Sequence, residues 1–368
     1  MGYIVYIAFV LLAVGLVIGE QLIKNDKIRL VLFLSLLLAF TFLGILKSNS
    51  VGTDSAGYSE TYLKARSSSL SEVIRSKKPE FGFYGTMYIF SHILKLPEIV
   101  FNAFNFLIIA ACLYLSLHKY ERKTFVLAIF LFFGFFCMSF SGIRQAVGIS
   151  IATLAFTIYF KENEVLSLPT RLIAYYFLCG MAILFHRTAV ILLVLPLLFS
   201  FDIQEHAIPF IPLLMLLFFP TLIGRLTIVI PAFFEKVSYT PSDSRVSLIF
   251  IAEVVFLCIV FFIYETSVGE KIRKKLSISD LKFNSKDSKF VWLIYVGCLF
   301  MCFNTSSQII TRFSMYFYLG IVYLINRVMD TVEKPRLKFA LIVGATLFLG
   351  LYFVYSTPEL GLVPYAFR

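Results

Sequence analysis

The feature that most constrains this chain is a series of long apolar runs, each close to the length of helix that crosses a bilayer. A hydrocarbon core takes about 20 mostly apolar residues, within a range near 17–25. Twelve runs approach that length: 3–19, 30–46, 98–117, 124–141, 146–160, 172–185, 188–201, 207–223, 246–265, 290–304, 313–326 and 339–356. Composition agrees. Of 368 residues, 59% are hydrophobic and 15% charged, against about 45–50% and 25% in soluble domains. A soluble globular domain is excluded. The expected architecture is all-α, a polytopic integral membrane protein with about twelve transmembrane helices, forming one membrane domain over 1–368. The longest polar stretches, 47–80 and 267–289, are too short for a core of their own. The first run begins next to Met1 with no basic leader or small-residue cleavage site, so it reads as a retained helix.

Basic residues set the expected orientation, because Lys and Arg concentrate in cytoplasmic loops. With the N-terminus outside, segments 20–29, 118–124, 161–171, 201–206, 267–289 and 327–338 fall inside and hold 19 of the 33 basic residues. Of the other 14, six lie in the 47–80 loop. Both termini are then extracytoplasmic, 47–80 is an outer loop and 267–289 a cytoplasmic basic loop. The net charge of +11 is a topology signal, and no nucleic-acid partner is expected. Segment 81–96 is apolar but short. Were it to span, the basic 118–124 loop would land outside, so a re-entrant or interfacial helix is expected there. Segment 225–237 reads as an outer interfacial amphipathic helix.

The six cysteines (Cys112, Cys137, Cys179, Cys258, Cys298 and Cys302) all lie in apolar runs and read as packing residues. No His/Asp/Glu cluster has metal-ligand spacing, so neither a metal nor a cofactor is expected.

Under this topology the isolated ionisable residues at helix ends collect on the outer side: Asp54, Glu80, Arg144, His186, Arg187 and Arg312. Such groups beside hydrocarbon pair, line a cavity or act on a substrate. Asp54 would share a helix face with Tyr58 and Tyr62, or cap that helix. Glu80 opens a segment with Tyr84 and Tyr88 on its face, and the helix dipole alone would favour an acid there. Arg144 lies between two runs with almost no loop. With Gln145 and the preceding Ser-Phe-Ser-Gly it suggests a polar pocket, although a lone arginine there could simply snorkel. His186-Arg187-Thr188 interrupts one long apolar run and must form a turn or face a cavity; histidine carries protons near neutral pH. Arg312 follows a polar run and precedes Tyr316 by one turn. Glu253, inside a run, reads as a structural partner for Arg245 or Arg225. Arginine forks match phosphate oxygens, and a carboxylate or histidine nearby can take a proton from a hydroxyl. The set suits transfer from a phosphate-activated donor. An ion pathway would place its charges near the bilayer midplane.

At these residues the chain resembles the EpsG/Wzy family of exopolysaccharide, capsule and O-antigen polymerases. The pieces are Gly52-Thr53-Asp54 with Tyr58, Glu80-Phe81-Gly82-Phe83, Ile143-Arg144-Gln145-Ala146, His186-Arg187-Thr188-Ala189, Arg312 with Tyr316, and Val363-Pro364-Tyr365. The resemblance implies a GT-C-like glycosyltransferase in the bacterial inner membrane that joins oligosaccharide repeats carried on undecaprenyl pyrophosphate. Arg144, Arg187 and Arg312 would hold the pyrophosphate. Asp54, Glu80 or His186 would activate the acceptor hydroxyl, and Tyr58, Tyr62, Gln145 and Tyr316 would line the substrate. Expected partners are the lipid-linked oligosaccharides, membrane lipids, a flippase and a chain-length regulator. A lipid-linked oligosaccharide transporter, or a ligase or acyltransferase, would share this substrate.

Overall fold

The computed structural model describes residues 3–72, 80–160, 167–200, 267–279, 313–358 and 361–367, with 259–260, 263–264, 289–290, 292–294 and 296–297. Expectations for Arg312, Glu253, the helix at 225–237, the run at 207–223, Cys258, Cys298 and Cys302 lie outside these residues. Among the described residues the chain is helical, with two isolated bridges, Lys47 with Phe367 and Ile278 with Val332.

Seven described helices are long and apolar enough to cross a membrane. They are α1 (Ile4–Leu22), α2 (Asp26–Leu46), α5 (Glu98–Leu117), α6 (Lys123–Ser141), α7 (Ile143–Phe160), α8 (Leu168–Phe185) and α11 (Pro335–Ser356). Each covers an expected run, which makes the chain a polytopic helical membrane protein. The run at 188–201 takes a different form, a 3-10 helix over Arg187–Val194 followed by one α turn, Leu195–Phe199. The run at 313–326 becomes a 3-10 turn and α10 (Tyr318–Thr331), at 14 residues short of a span. Within 47–80 lies α3 (Ser55–Ala65). In 81–96, α4 (Phe81–Tyr88) continues as a π-helical turn, Ile89–Ile93. Together they rise at most about 20 Å, less than the ~30 Å of a hydrocarbon core.

The chain divides into two compact units, Met1–Leu193 with Phe339–Arg368, and Val194–Lys338. In the first, α6 and α7 are the most buried of the span-length helices, while α1, α2 and α8 leave most of their surfaces outward. The centre is aromatic. Tyr6, Phe9, Phe40, Phe132, Phe136, Phe140 and Phe353 meet mainly edge-on or tilted, the arrangements that ring quadrupoles favour. Cys112, Cys137 and Cys179 are buried.

The two ends of this unit differ in kind. At one end the carboxylate of Glu20 accepts the N–H groups of Thr124 (2.7 Å) and Phe125 (3.0 Å). It thereby satisfies orphan donors of α6 and brings the 20–29 and 118–124 turns together. At the other end the tail returns to α1 and α2. Tyr6 donates to the Leu362 carbonyl (2.6 Å), Tyr365 to that of Leu43 (2.7 Å), and the Ser48 N–H to that of Ala366 (2.7 Å).

Candidate active site

The tail end of the first unit also carries the breaks between helices. Helix α6 stops at Ser141 because Gly142 (φ −118°, ψ 63°) leaves helical geometry, and α7 restarts at Ile143. That places Arg144 in the first turn of α7, where a helix dipole disfavours a cation. An anion must offset it.

Glu80 supplies that anion. It occupies the N-cap position of α4 but makes no side-chain cap bond. One carboxylate oxygen instead accepts from Nη1 of Arg144. The other accepts from Nδ1 of His186 at 2.6 Å and from the Arg187 N–H at the long limit of 3.5 Å. The Glu80 and His186 side chains are each 7% exposed, and that of Arg144 is 20% exposed. Burial pushes the Glu80 carboxyl upward. The hydrogen bond from His186 and the charge of Arg144 outweigh it and hold the group below the usual carboxylate range. A carboxylate only accepts, so Nδ1 of His186 carries the proton when the ring is neutral, and Nε2 is the basic nitrogen.

His186 reaches this position because α8 ends one residue before it. Its N–H closes the helix on Ala182, and its backbone is extended (φ −152°) before the 3-10 turn begins. Gly82 in α4 lies so close to the Leu184 backbone that a side chain there would crowd it. That close approach sets Glu80 against the end of α8.

Two tyrosines enclose the arginine. Nε of Arg144 donates to the Tyr58 hydroxyl and Nη1 to that of Tyr84, both at 3.0 Å. The guanidinium also lies 5.2 Å and 5.5 Å from the two ring centroids, within cation–π range. Burial raises both phenols, against the lowering pull of Arg144, so they remain protonated donors. Tyr58 in turn faces Asp54 Oδ2 at 3.4 Å. Asp54 stands at the N-cap position of α3 without a side-chain cap bond.

The loop carrying Asp54 is fastened from three directions. Gly52, at φ +98°, lies directly against the Phe140 carbonyl and would clash with it through any Cβ. Its N–H bonds to Gly361 O at 2.8 Å. Buried Lys47 donates from Nζ to Val51 O (2.9 Å) and Ser55 Oγ (2.5 Å), and Ser55 Oγ bonds Phe140 O (3.1 Å).

Six of the expected residues therefore belong to one cluster: Asp54, Tyr58, Glu80, Arg144, His186 and Arg187, the last through its backbone with its side chain exposed. Gln145 is buried beside Arg144. Tyr62 departs from the expected substrate wall. It is fully buried, its hydroxyl donates to Leu96 O (2.9 Å) and its ring packs on Phe101. Tyr88 stacks on His92 rather than joining Tyr84. Tyr316 is buried in the second unit. The expectation missed Lys47. At the end of an apolar run it looks like any interfacial lysine, and only the fold of the next eight residues buries it.

A model of the EpsG family matches the chain over residues 28–367. No curated protein and no solved structure matches it.

Proposed function

We propose, from the premise that the chain belongs to the EpsG family, that it is a membrane glycosyltransferase polymerising undecaprenyl-pyrophosphate-linked repeats at the outer face of the bacterial inner membrane. Membership makes it a membrane protein of polysaccharide biosynthesis. The observation that carries the finer reading is the bridge from Arg144 through Glu80 to His186. One buried carboxylate both orients a basic nitrogen and holds an arginine at the positive end of a helix.

In this reading an acceptor hydroxyl attacks the anomeric carbon of the donor sugar. The new C–O bond forms as the bond to pyrophosphate breaks, and polyprenyl pyrophosphate leaves with the electron pair. His186 Nε2 takes the hydroxyl proton, and Glu80 stabilises the resulting imidazolium. Arg187, with its exposed side chain, and Arg144 at the α7 N-terminus meet the leaving pyrophosphate, where N–H groups and dipole favour an anion. Asp54 and Tyr58 position the acceptor, with Tyr58 offering a face to the sugar. Purified protein supplied with lipid-linked repeats should release polyprenyl pyrophosphate in step with polymer growth. Transport without new glycosidic bonds, or transfer to a different acceptor, would assign the site to a transporter or a ligase.

A further inference from the structure

The second unit carries a helix that the proposed chemistry does not use. This is α9 (Ser267–Leu276). Its residues divide into three arcs. Arg273 is turned inward, donating from Nη1 to Ile263 O at 2.5 Å with its guanidinium 5.4 Å from the Tyr264 ring centroid, and Gly269 is buried beside it. Val268, Ile272 and Leu276 follow at intervals of four and share a face. Val268 is 52% exposed and Leu276 37% exposed, so this apolar arc is open. On the remaining arc Glu270 pairs with Lys274 at 2.6 Å, and Lys271 and Lys275 are exposed.

The position of α9 in the chain identifies what covers it. Ser279 N–H bonds Thr331 O (2.8 Å) and Glu333 N–H bonds Ser277 O (3.0 Å). Lys334 Nζ donates to Lys275 O at 3.2 Å. Pro335, the next residue, opens the span-length helix α11. The basic helix is therefore tied to the first residues of a helix long and apolar enough to cross a membrane, and where such a helix enters a bilayer its start lies at the depth of lipid headgroups. An apolar arc bordered by lysines at that depth matches a bilayer surface, and several cations there match an anionic one. We propose that α9 is an in-plane helix docked on anionic lipid. Val268 and Leu276 enter the acyl boundary, while Lys271, Lys275 and Lys334 meet headgroup phosphates. This holds whether or not the chain is a polymerase.

The test uses the full chain in vesicles of phosphatidylcholine, with or without phosphatidylglycerol. A fluorophore on Val268→Cys, in a background without native cysteines, should be quenched by acyl-brominated lipid when phosphatidylglycerol is present. Raising salt should release it, and a fluorophore on Glu270→Cys should stay accessible to aqueous iodide. Reversing charge in Lys271→Glu/Lys275→Glu should raise the phosphatidylglycerol needed for half-maximal quenching by about fivefold or more. In the unaltered chain, phosphatidylglycerol should protect Lys271 and Lys275 from trypsin. Equal quenching in pure phosphatidylcholine, or an unchanged charge-reversed variant, would overturn the anionic requirement. Iodide reaching Val268→Cys in both lipids would put the helix in water. Shielding from both quenchers would mean that protein covers the arc. Either result overturns the proposal, as does trypsin cleavage indifferent to lipid.

Discussion

Glu80 holds two partners of different character, so its replacements separate two effects. Glu80→Gln keeps the size of the side chain but removes the charge that offsets Arg144 and leaves one acceptor oxygen where two bridge Arg144 and His186. Turnover should fall by about 100-fold or more, on the scale of a lost general base, measured as polymer formed from lipid-linked repeats. His186→Gln should lose as much turnover while donor binding persists. The arginines should diverge. Arg187 has an exposed side chain, so Arg187→Ala should leave thermal stability unchanged and weaken donor binding. Arg144→Ala would leave a buried carboxylate without its cation, a change that costs about 3–5 kcal/mol, and should lower stability as well as activity. Arg144→Lys should restore part of the stability and little of the activity, because an ammonium cannot bond Tyr58, Tyr84 and Glu80 in fixed directions. If Arg144→Ala melts like the parent, the ion pair is not holding this end together. Glu80 also makes a prediction in pH. Its folded value is depressed, so its contribution to stability is full above the ordinary carboxylate value of about 4.3 and is lost as pH falls through the lower folded value. Thermal stability should decline with acid in that window, and Glu80→Gln should flatten the decline.

Between helices, the site is set by breaks rather than by the helices themselves. Gly52 is the sharpest case, with positive φ and no room for a Cβ beside the Phe140 carbonyl. Gly52→Ala should destabilise the protein by about 1–3 kcal/mol and separate Asp54 from Tyr58. Gly57, five residues on and inside α3, has nothing within 4 Å of a Cβ. Gly57→Ala should raise stability by up to about 1 kcal/mol. Paired melting curves check both, and equal effects would mean that the Gly52 loop is not docked as described. The same contrast explains what the sequence reveals. Long runs such as 98–117 are legible because length and apolarity alone specify a lipid-crossing helix. The cluster residues Glu80, Arg144 and His186 are legible because charge at such boundaries is costly and so marks a use. Tyr62 was misplaced because helical spacing aligns it with Tyr58 but does not reveal the Leu96 carbonyl, 34 residues on, that takes its hydroxyl. The tail carbonyls at Gly361 and Ala366 were invisible for the same reason. Their partners are distant in sequence, and no local pattern encodes them.

Across the first unit the contacts sort the loops into two sets independently of any charge rule. Glu20 on the Thr124 and Phe125 N–H groups puts the lysine- and arginine-bearing turns after α1 and before α6 at one end. Tyr6 on Leu362, Gly52 on Gly361 and Glu80 on His186 put the chain start, the 47–53 loop, the tail and the candidate site at the other. Basic turns gathering opposite the polar cluster is the division that the charge rule expects of a cytoplasmic and an outer face, and labelling tests it. Ser50, exposed in the 47–53 loop, belongs to the site face. Ser279, exposed just beyond α9, belongs to the basic 267–289 segment that the charge rule puts inside. In intact cells of a variant without native cysteines, Ser50→Cys should react with a membrane-impermeant reagent, and Ser279→Cys should react only after the cells are opened. A substrate on an outer lipid leaflet can reach Glu80 and His186 only if Ser50 faces outward. Reversed labelling would move the site to the cytoplasmic side and leave its geometry intact, but the acceptor and donor would then have to be delivered from within the cell.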